Sequence, residues 1–168
     1  MRHLELGMGL QEEYFHGDIF SKNTGIETSG KMDQFLSNVY SYLSFDNMDD
    51  YYFPTRGTNM YAEFSIMGDF NASTVLSPVA LFKMKNVIPL DENISLLFDI
   101  NGRALFNSDS PLSRMTLVGG EPYTQYFNYH LPFVGLPALT ISERYTLISL
   151  VGLRMRLSKS QYASVLFN

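Results

Sequence analysis

The chain has 168 residues, of which 45% are hydrophobic and 17% charged, with a net charge of −5. That apolar content excludes disorder over most of the length, and the acidic balance with scattered Lys and Arg excludes a nucleic-acid partner held by phosphate neutralisation. There is no Cys, hence no disulfide framework or thiolate site, and no apolar run reaches the ~18–20 residues of a spanning helix.

Taken in chain order, the residues alternate with a period of two, which is the signature of strands. Residues 4–14 form a first, weaker strand, followed by turn-forming clusters at Gly17-Asp18 and over 21–30. A second strand over 35–45 leads to turns at 46–50 and 54–57. Residues 58–70 then alternate cleanly, with Met60, Ala62, Phe64 and Ile66 on one face and Asn59, Tyr61, Glu63 and Ser65 on the other. A weaker strand over 78–87 and a turn at 91–93 precede the segment 94–106. There Ile94, Leu96, Phe98, Ile100 and Ala104 oppose Ser95, Asp99, Asn101 and Arg103. After a turn at 108–111, residues 144–157 repeat the pattern, with Tyr145, Leu147, Val151, Leu153, Met155 and Leu157 against Arg144, Thr146, Arg154 and Arg156. A turn at 158–160 opens a last strand over 161–167. Short polar turns between successive strands predict an all-β antiparallel meander of about seven or eight strands.

Three of these strands run about ten to fourteen residues, longer than the ~5–6 usual in soluble sheets and matched to the ~9–11 that cross a membrane. Aromatic clusters at Tyr51-Tyr52-Phe53 and at Tyr123, Tyr126, Phe127, Tyr129 and Phe133 suit interfacial girdles. A soluble sandwich or small barrel with one wet face writes the same alternation.

Phe53-Pro54-Thr55-Arg56-Gly57, directly before an alternating strand, resembles the Phe-Pro-Thr-x-Gly hairpin of the bacterial surface antigen family, the outer-membrane barrels of the assembly and two-partner secretion machinery. Pro54 fixes its own φ and Gly57 accepts a positive one, so the pair ends one strand and launches the next. Leu117-Val118-Gly119-Gly120 resembles the Gly-Gly pair that in this family opens a long loop folding back into the barrel. The stretch from Tyr126 to Pro137 is similar to the barrel that follows the catalytic domain in patatin-like phospholipases of Bacteroidetes-type bacteria. The resemblance is strongest over 33–168. It implies a single barrel segment over 1–168 of a longer protein, whose export signal and passenger domain lie elsewhere and whose last strand awaits a partner. In the loop this chain carries Glu121-Pro122-Tyr123 where the assembly and secretion members carry Arg-Gly-Phe or Arg-Gly-Tyr.

No constellation points to chemistry performed by this chain. Gly25 to Met32 nearly spells a phosphate-binding loop but lacks Ser or Thr after Lys31 and has no apolar strand before it. His3, His16 and His130 lack zinc-ligand spacing, and His16-Gly17-Asp18, read as a turn, has no nucleophile beside it. Asp46, Asp49 and Asp50 lack the alternate-position ligands of a calcium loop and read as a solvated hairpin. No Gly-x-Ser-x-Gly elbow is present. The expectation is therefore no catalytic residue, no metal and no cofactor.

If the apolar faces meet lipid, Glu63, Asp99, Arg103, Arg154 and Arg156 are the candidates for facing the lumen. The leading reading is a bacterial outer-membrane β-barrel segment that anchors or helps export an attached passenger, a patatin-like lipase or hydrolase. Its partners would be the lipid bilayer or detergent, the covalently attached passenger and, through open sheet edges, a second copy. The alternative is a soluble β-barrel or sandwich binding an apolar ligand.

Overall fold

A computed structural model describes residues 3–23, 26–69, 76–108, 114–120, 129–158 and 161–168. Five long strands come first: β1 (His3–Asn23), β2 (Ile26–Asp46), β3 (Gly57–Asp69), β4 (Leu76–Pro89) and β5 (Ile94–Leu105). A long connector follows, carrying the short strands β6 (Thr116–Val118), β7 (His130–Leu131) and β8 (Ile141–Glu143). The chain then returns to the sheet with β9 (Tyr145–Arg156) and β10 (Tyr162–Phe167). The long strands form one antiparallel sheet in the order β1-β2-β3-β4-β5-β9-β10, the meander that the short turns dictate.

Register turns the alternation of each strand into two continuous faces, because direct partners in an antiparallel pair point the same way. Leu6, Leu43, Ala62, Phe82, Gly102 and Leu147 form one unbroken cross-strand row. Its two ends, Leu6 and Leu147, are 81% and 77% exposed. Phe64, Ile66, Val151, Leu153, Met155, Val165 and Phe167 continue this exposed apolar face. The opposite face buries Ser65, Ser77, Ser95, Arg103 and Arg154 along with Leu97, Leu105, Ile148 and Leu150. A soluble domain does the reverse, hiding its large hydrophobics and exposing its charges.

The β1–β2 hairpin corrects the sequence reading. Gly17-Asp18 is not a turn, and of the cluster over 21–30 only the point between Asn23 and Ile26, outside the described residues, separates the two strands: Gly17 pairs with Met32, Asp18 with Lys31 and Lys22 with Glu27. At roughly 3.3 Å per residue, each 21-residue strand is about 70 Å long. β3 ends at Asp69, opposite Leu36, so the distal part of β2 is partnered by β1 alone among the described residues. Alternation reports a strand that separates two environments. It fades along this ribbon, where Gly, Ser and Asp then look like turn residues. The supposed phosphate-loop mimic ending at Met32 likewise falls mainly within β2.

Residues 46–50 and 54–57 are also not two turns. Asp46 ends β2, Gly57 opens β3, and the residues between them form one ten-residue connector, 47–56.

Candidate functional site: the inner face and its two inserted loops

The polar face of the sheet is partly filled by chain segments that enter from both ends. The connector 47–56 is organised by its own carboxylates. Asp49 accepts from the Thr55 amide and the Thr55 hydroxyl and, at 3.2 Å, from the Arg56 amide; Asp50 accepts from the amides of Tyr52 and Phe53. Asp46 accepts from the Met48 amide at 2.8 Å. These three aspartates thus serve backbone donors in a compact loop. Burial alone would push the Asp49 carboxyl up, but the Thr55 and Arg56 donors hold it below the usual carboxylate range. Gly57 closes the loop at φ 120°, a conformation that L side chains rarely adopt.

The loop then docks on strands far from its own. Arg154 on β9, 5% exposed, donates from Nη1 to the Pro54 carbonyl at 3.1 Å, and its guanidinium carbon lies 6.0 Å from the centre of the Phe53 ring. Ser95 on β5 donates to the Thr55 carbonyl at 3.0 Å. Phe53 stacks on Tyr162 of β10 with centroids 4.8 Å apart and planes 5° from parallel. Tyr51 and Tyr52 remain exposed, edge to face at 5.0 Å.

From the other end, the connector between β5 and β9 lies on the same face. Arg103 of β5, 5% exposed, donates from Nη1 to the Arg114 carbonyl at 2.8 Å and to the Thr116 hydroxyl at 3.1 Å. Its guanidinium carbon sits 5.8 Å from the Tyr129 ring centre. Arg114, fully buried, donates to the Ser77 hydroxyl at 2.8 Å. Val118 and Leu131, with Phe133, pack on Ile148 of β9. Burial, and secondarily Glu13, pushes the Tyr129 phenol up to about 12, with Arg103 pulling the other way.

Gly119 and Gly120 sit where β6 turns away, at φ 127° and 90°. A Cβ at Gly119 would fall 2.0 Å from the Pro137 carbonyl oxygen, so only glycine permits that approach. His130, fully buried, bonds through Nε2 to the Gly119 carbonyl. The aromatic cluster of the connector corrects the girdle reading: Tyr129 and Phe133 are packed on the inner face. Tyr123, Tyr126 and Phe127 lie outside the described residues, as does the Glu121-Pro122-Tyr123 triplet.

Of the sequence-predicted charges, Arg103 and Arg154 are buried on this face, and Glu63 and Asp99 lie half-buried on it. Arg156 has the same parity but stands exposed at the end of β9, donating to the Ser158 carbonyl at 3.4 Å. Glu63, Arg103 and Tyr129 line a cavity of about 380 Å³ with Asn38, Tyr61 and Lys83. Alternation could not flag Arg114, Thr116 or His130, which lie outside the long strands. Ser95 was visible only as one polar residue among several.

An antiparallel meander with lipid-compatible residues outward and buried charges inward defines the wall of a transmembrane β-barrel. A model of the OMP85 superfamily matches residues 1–168, and the chain belongs to that superfamily, whose members are outer-membrane proteins. No curated protein and no solved structure gives a match.

Proposed function

We propose that this chain is a membrane-embedded wall segment that anchors, or helps export, a covalently attached passenger, and that in the parent protein the passenger is a patatin-like hydrolase. The observation that carries the anchoring role is the inversion of the two faces. Arg103 and Arg154 are shielded inside while Leu6, Phe64, Leu147 and Leu153 stand exposed. A charge turned outward near the bilayer midplane would cost roughly 2–4 kcal/mol. The passenger reading is supported by the resemblance over 126–137. The segment itself carries out no reaction in this scheme; it contributes seven paired strands to a hydrogen-bond ladder in lipid.

Sidedness follows from loop length. The connectors 47–56, 90–93 and 157–161 share one end of the sheet, and the 39-residue connector 106–144 lies at the other. Short connections face the periplasm in such barrels, which puts the long connector and the tip of the β1–β2 ribbon outside the cell.

Single cysteines at 63, 64, 65 and 66, in a chain with no native cysteine, test the membrane reading. Labelled with an environment-sensitive dye in bilayers, positions 64 and 66 are quenched by lipid-borne quenchers and 63 and 65 are not. Quenching at none of the four would replace the anchor with the soluble, ligand-binding barrel. For the passenger, esterase activity of the intact protein should sediment with outer membranes. A parent chain without a hydrolase domain removes that part of the proposal.

A further inference from the structure

The connector between β2 and β3 is longer than a tight hairpin needs, and its extra length is spent crossing the inner face. From β3 to β10 the sheet advances by four strand spacings, β3-β4-β5-β9-β10, or about 19 Å at ~4.8 Å each. The loop spans this width and touches down at three places: Ser95 of β5, Arg154 of β9 and Tyr162 of β10. All three landing residues sit at the end of the sheet where this connector and the turns 90–93 and 157–161 lie.

Two features separate this arrangement from ordinary loop packing. The loop is rigid on its own account, since Asp49 and Asp50 hold its backbone amides and Asn47 accepts from the Thr58 amide. Among the described residues its hold on the far wall is slight by comparison: two hydrogen bonds to the carbonyls of Pro54 and Thr55, the Arg154 guanidinium beside Phe53, and one ring stack. A preformed body attached by few contacts can leave its seat without unfolding, as hinged loops do. Arg154 is the principal fastening. It is buried, its Nε reaches Ser164 of β10 at 3.4 Å, and its Nη1 is aimed at Pro54.

We propose that residues 47–56 form a strap that closes the short-connector mouth of the lumen, and that Arg154 is its latch. In the closed state the strap lies across the inner face. When a chain or solute passes, the strap swings out on its β2 and β3 ends, and the Arg154–Pro54 bond reforms afterwards. Arg154 is a positioning residue here and touches no cargo. The inference rests on the barrel reading above.

The test uses the full-length protein in planar lipid bilayers and in detergent. Phe53→Cys with Tyr162→Cys places two thiols where the stacked rings meet, to be joined by a short bis-methanethiosulfonate. Bridging should cut conductance events at least tenfold, with dithiothreitol restoring them. Arg154→Gln should raise open time several-fold and lower bridging yield, while Arg154→Lys, which keeps a cationic donor, should recover part of both. Ser95→Ala, a milder change, should raise open time less and keeps the question answerable if Arg154→Gln fails to fold. Failure of the thiols to bridge in the folded protein overturns the docked strap. Bridging that leaves conductance unchanged overturns the closing role, as does a folded Arg154→Gln protein that conducts like the wild type. Failure of the barrel reading is separable, because then no variant inserts and the lipid quenchers reach no site, while bridging in detergent still reports whether the strap is seated.

Discussion

Arg103 and Arg114 meet in an unusual sense for two arginines: the Arg103 guanidinium donates to the Arg114 carbonyl at 2.8 Å, on the buried polar face of the sheet. The bond ties β5 to the connector that follows it and places a buried cation under the Tyr129 ring. A charge-assisted bond of this kind contributes about 1.5–3 kcal/mol.

Replacing Arg103 should therefore free the connector before it unfolds the sheet. Arg103→Leu removes the donors to Arg114 and Thr116, and limited proteolysis should cut within 106–144 at lower protease concentration than in the wild type. Arg103→Lys keeps the charge but loses the planar fork, so its cleavage rate should fall between the two. Equal cleavage of all three proteins would mean the connector is seated by the Val118–Leu131–Ile148 cluster alone.

Gly57→Val should impair assembly. The residue has φ 120°, and an added Cβ would lie 2.7 Å from both the Asn47 carbonyl oxygen and the Met48 Cα. Strain of roughly 1–3 kcal/mol is expected. The measurement is the fraction of heat-modifiable, folded protein on a gel after refolding into detergent, and an unchanged fraction would show the turn to be ordinary.

Gly7 and Gly9 matter for a different reason, which is space for two tyrosine rings that a side chain there would displace. The Tyr42 ring lies over Gly7 and the Tyr40 ring over Gly9, so a Cβ at either would come within 2.6 Å of its tyrosine. Tyr42 in turn stacks on Tyr61 at 5.8 Å and donates its hydroxyl to Glu5. Gly7→Val should cost less than the ~1–3 kcal/mol of overpacking a closed core, because the end of the Tyr42 side chain can swing aside. Adding Tyr42→Ala should recover much of that in urea-unfolding midpoints. A purely additive double mutant would place the cost elsewhere.

Acid should loosen the 47–56 loop through Asp49. Its carboxyl is held below the ordinary carboxylate value in the folded loop, so its contribution is present above that ordinary value and is lost as pH falls through the lower folded value. Protection of the Thr55 and Arg56 amides, taken as exchange relative to the intrinsic rate at each pH, should be high at pH 5 and fall below about pH 4. In Asp49→Asn that protection should be lower at pH 5 and nearly flat with acid. A wild-type profile in that variant would exclude Asp49 as the organiser.

Much of this architecture is legible in single strands. Met60, Ala62, Phe64 and Ile66 against Tyr61, Glu63 and Ser65 already separate two environments, and a strand's pleat carries that separation into space without further information. The antiparallel meander follows from the short connections, because neighbours in sequence pair first when little chain lies between them. What strand periodicity cannot encode is where non-repeating segments come to rest. Arg154 finds Pro54 across 100 residues, and Arg103 finds Thr116 across a connector with no period of its own. The β1–β2 ribbon is obscure for a related reason, since its distal part pairs, among the described residues, without a third strand to give it two distinct faces. The sequence by itself thus determined the fold class and the two faces of the wall. The tertiary structure alone decided which end-loops fill the inner face and which buried arginines hold them, because those contacts join non-repeating segments to strands distant in the chain or across the sheet.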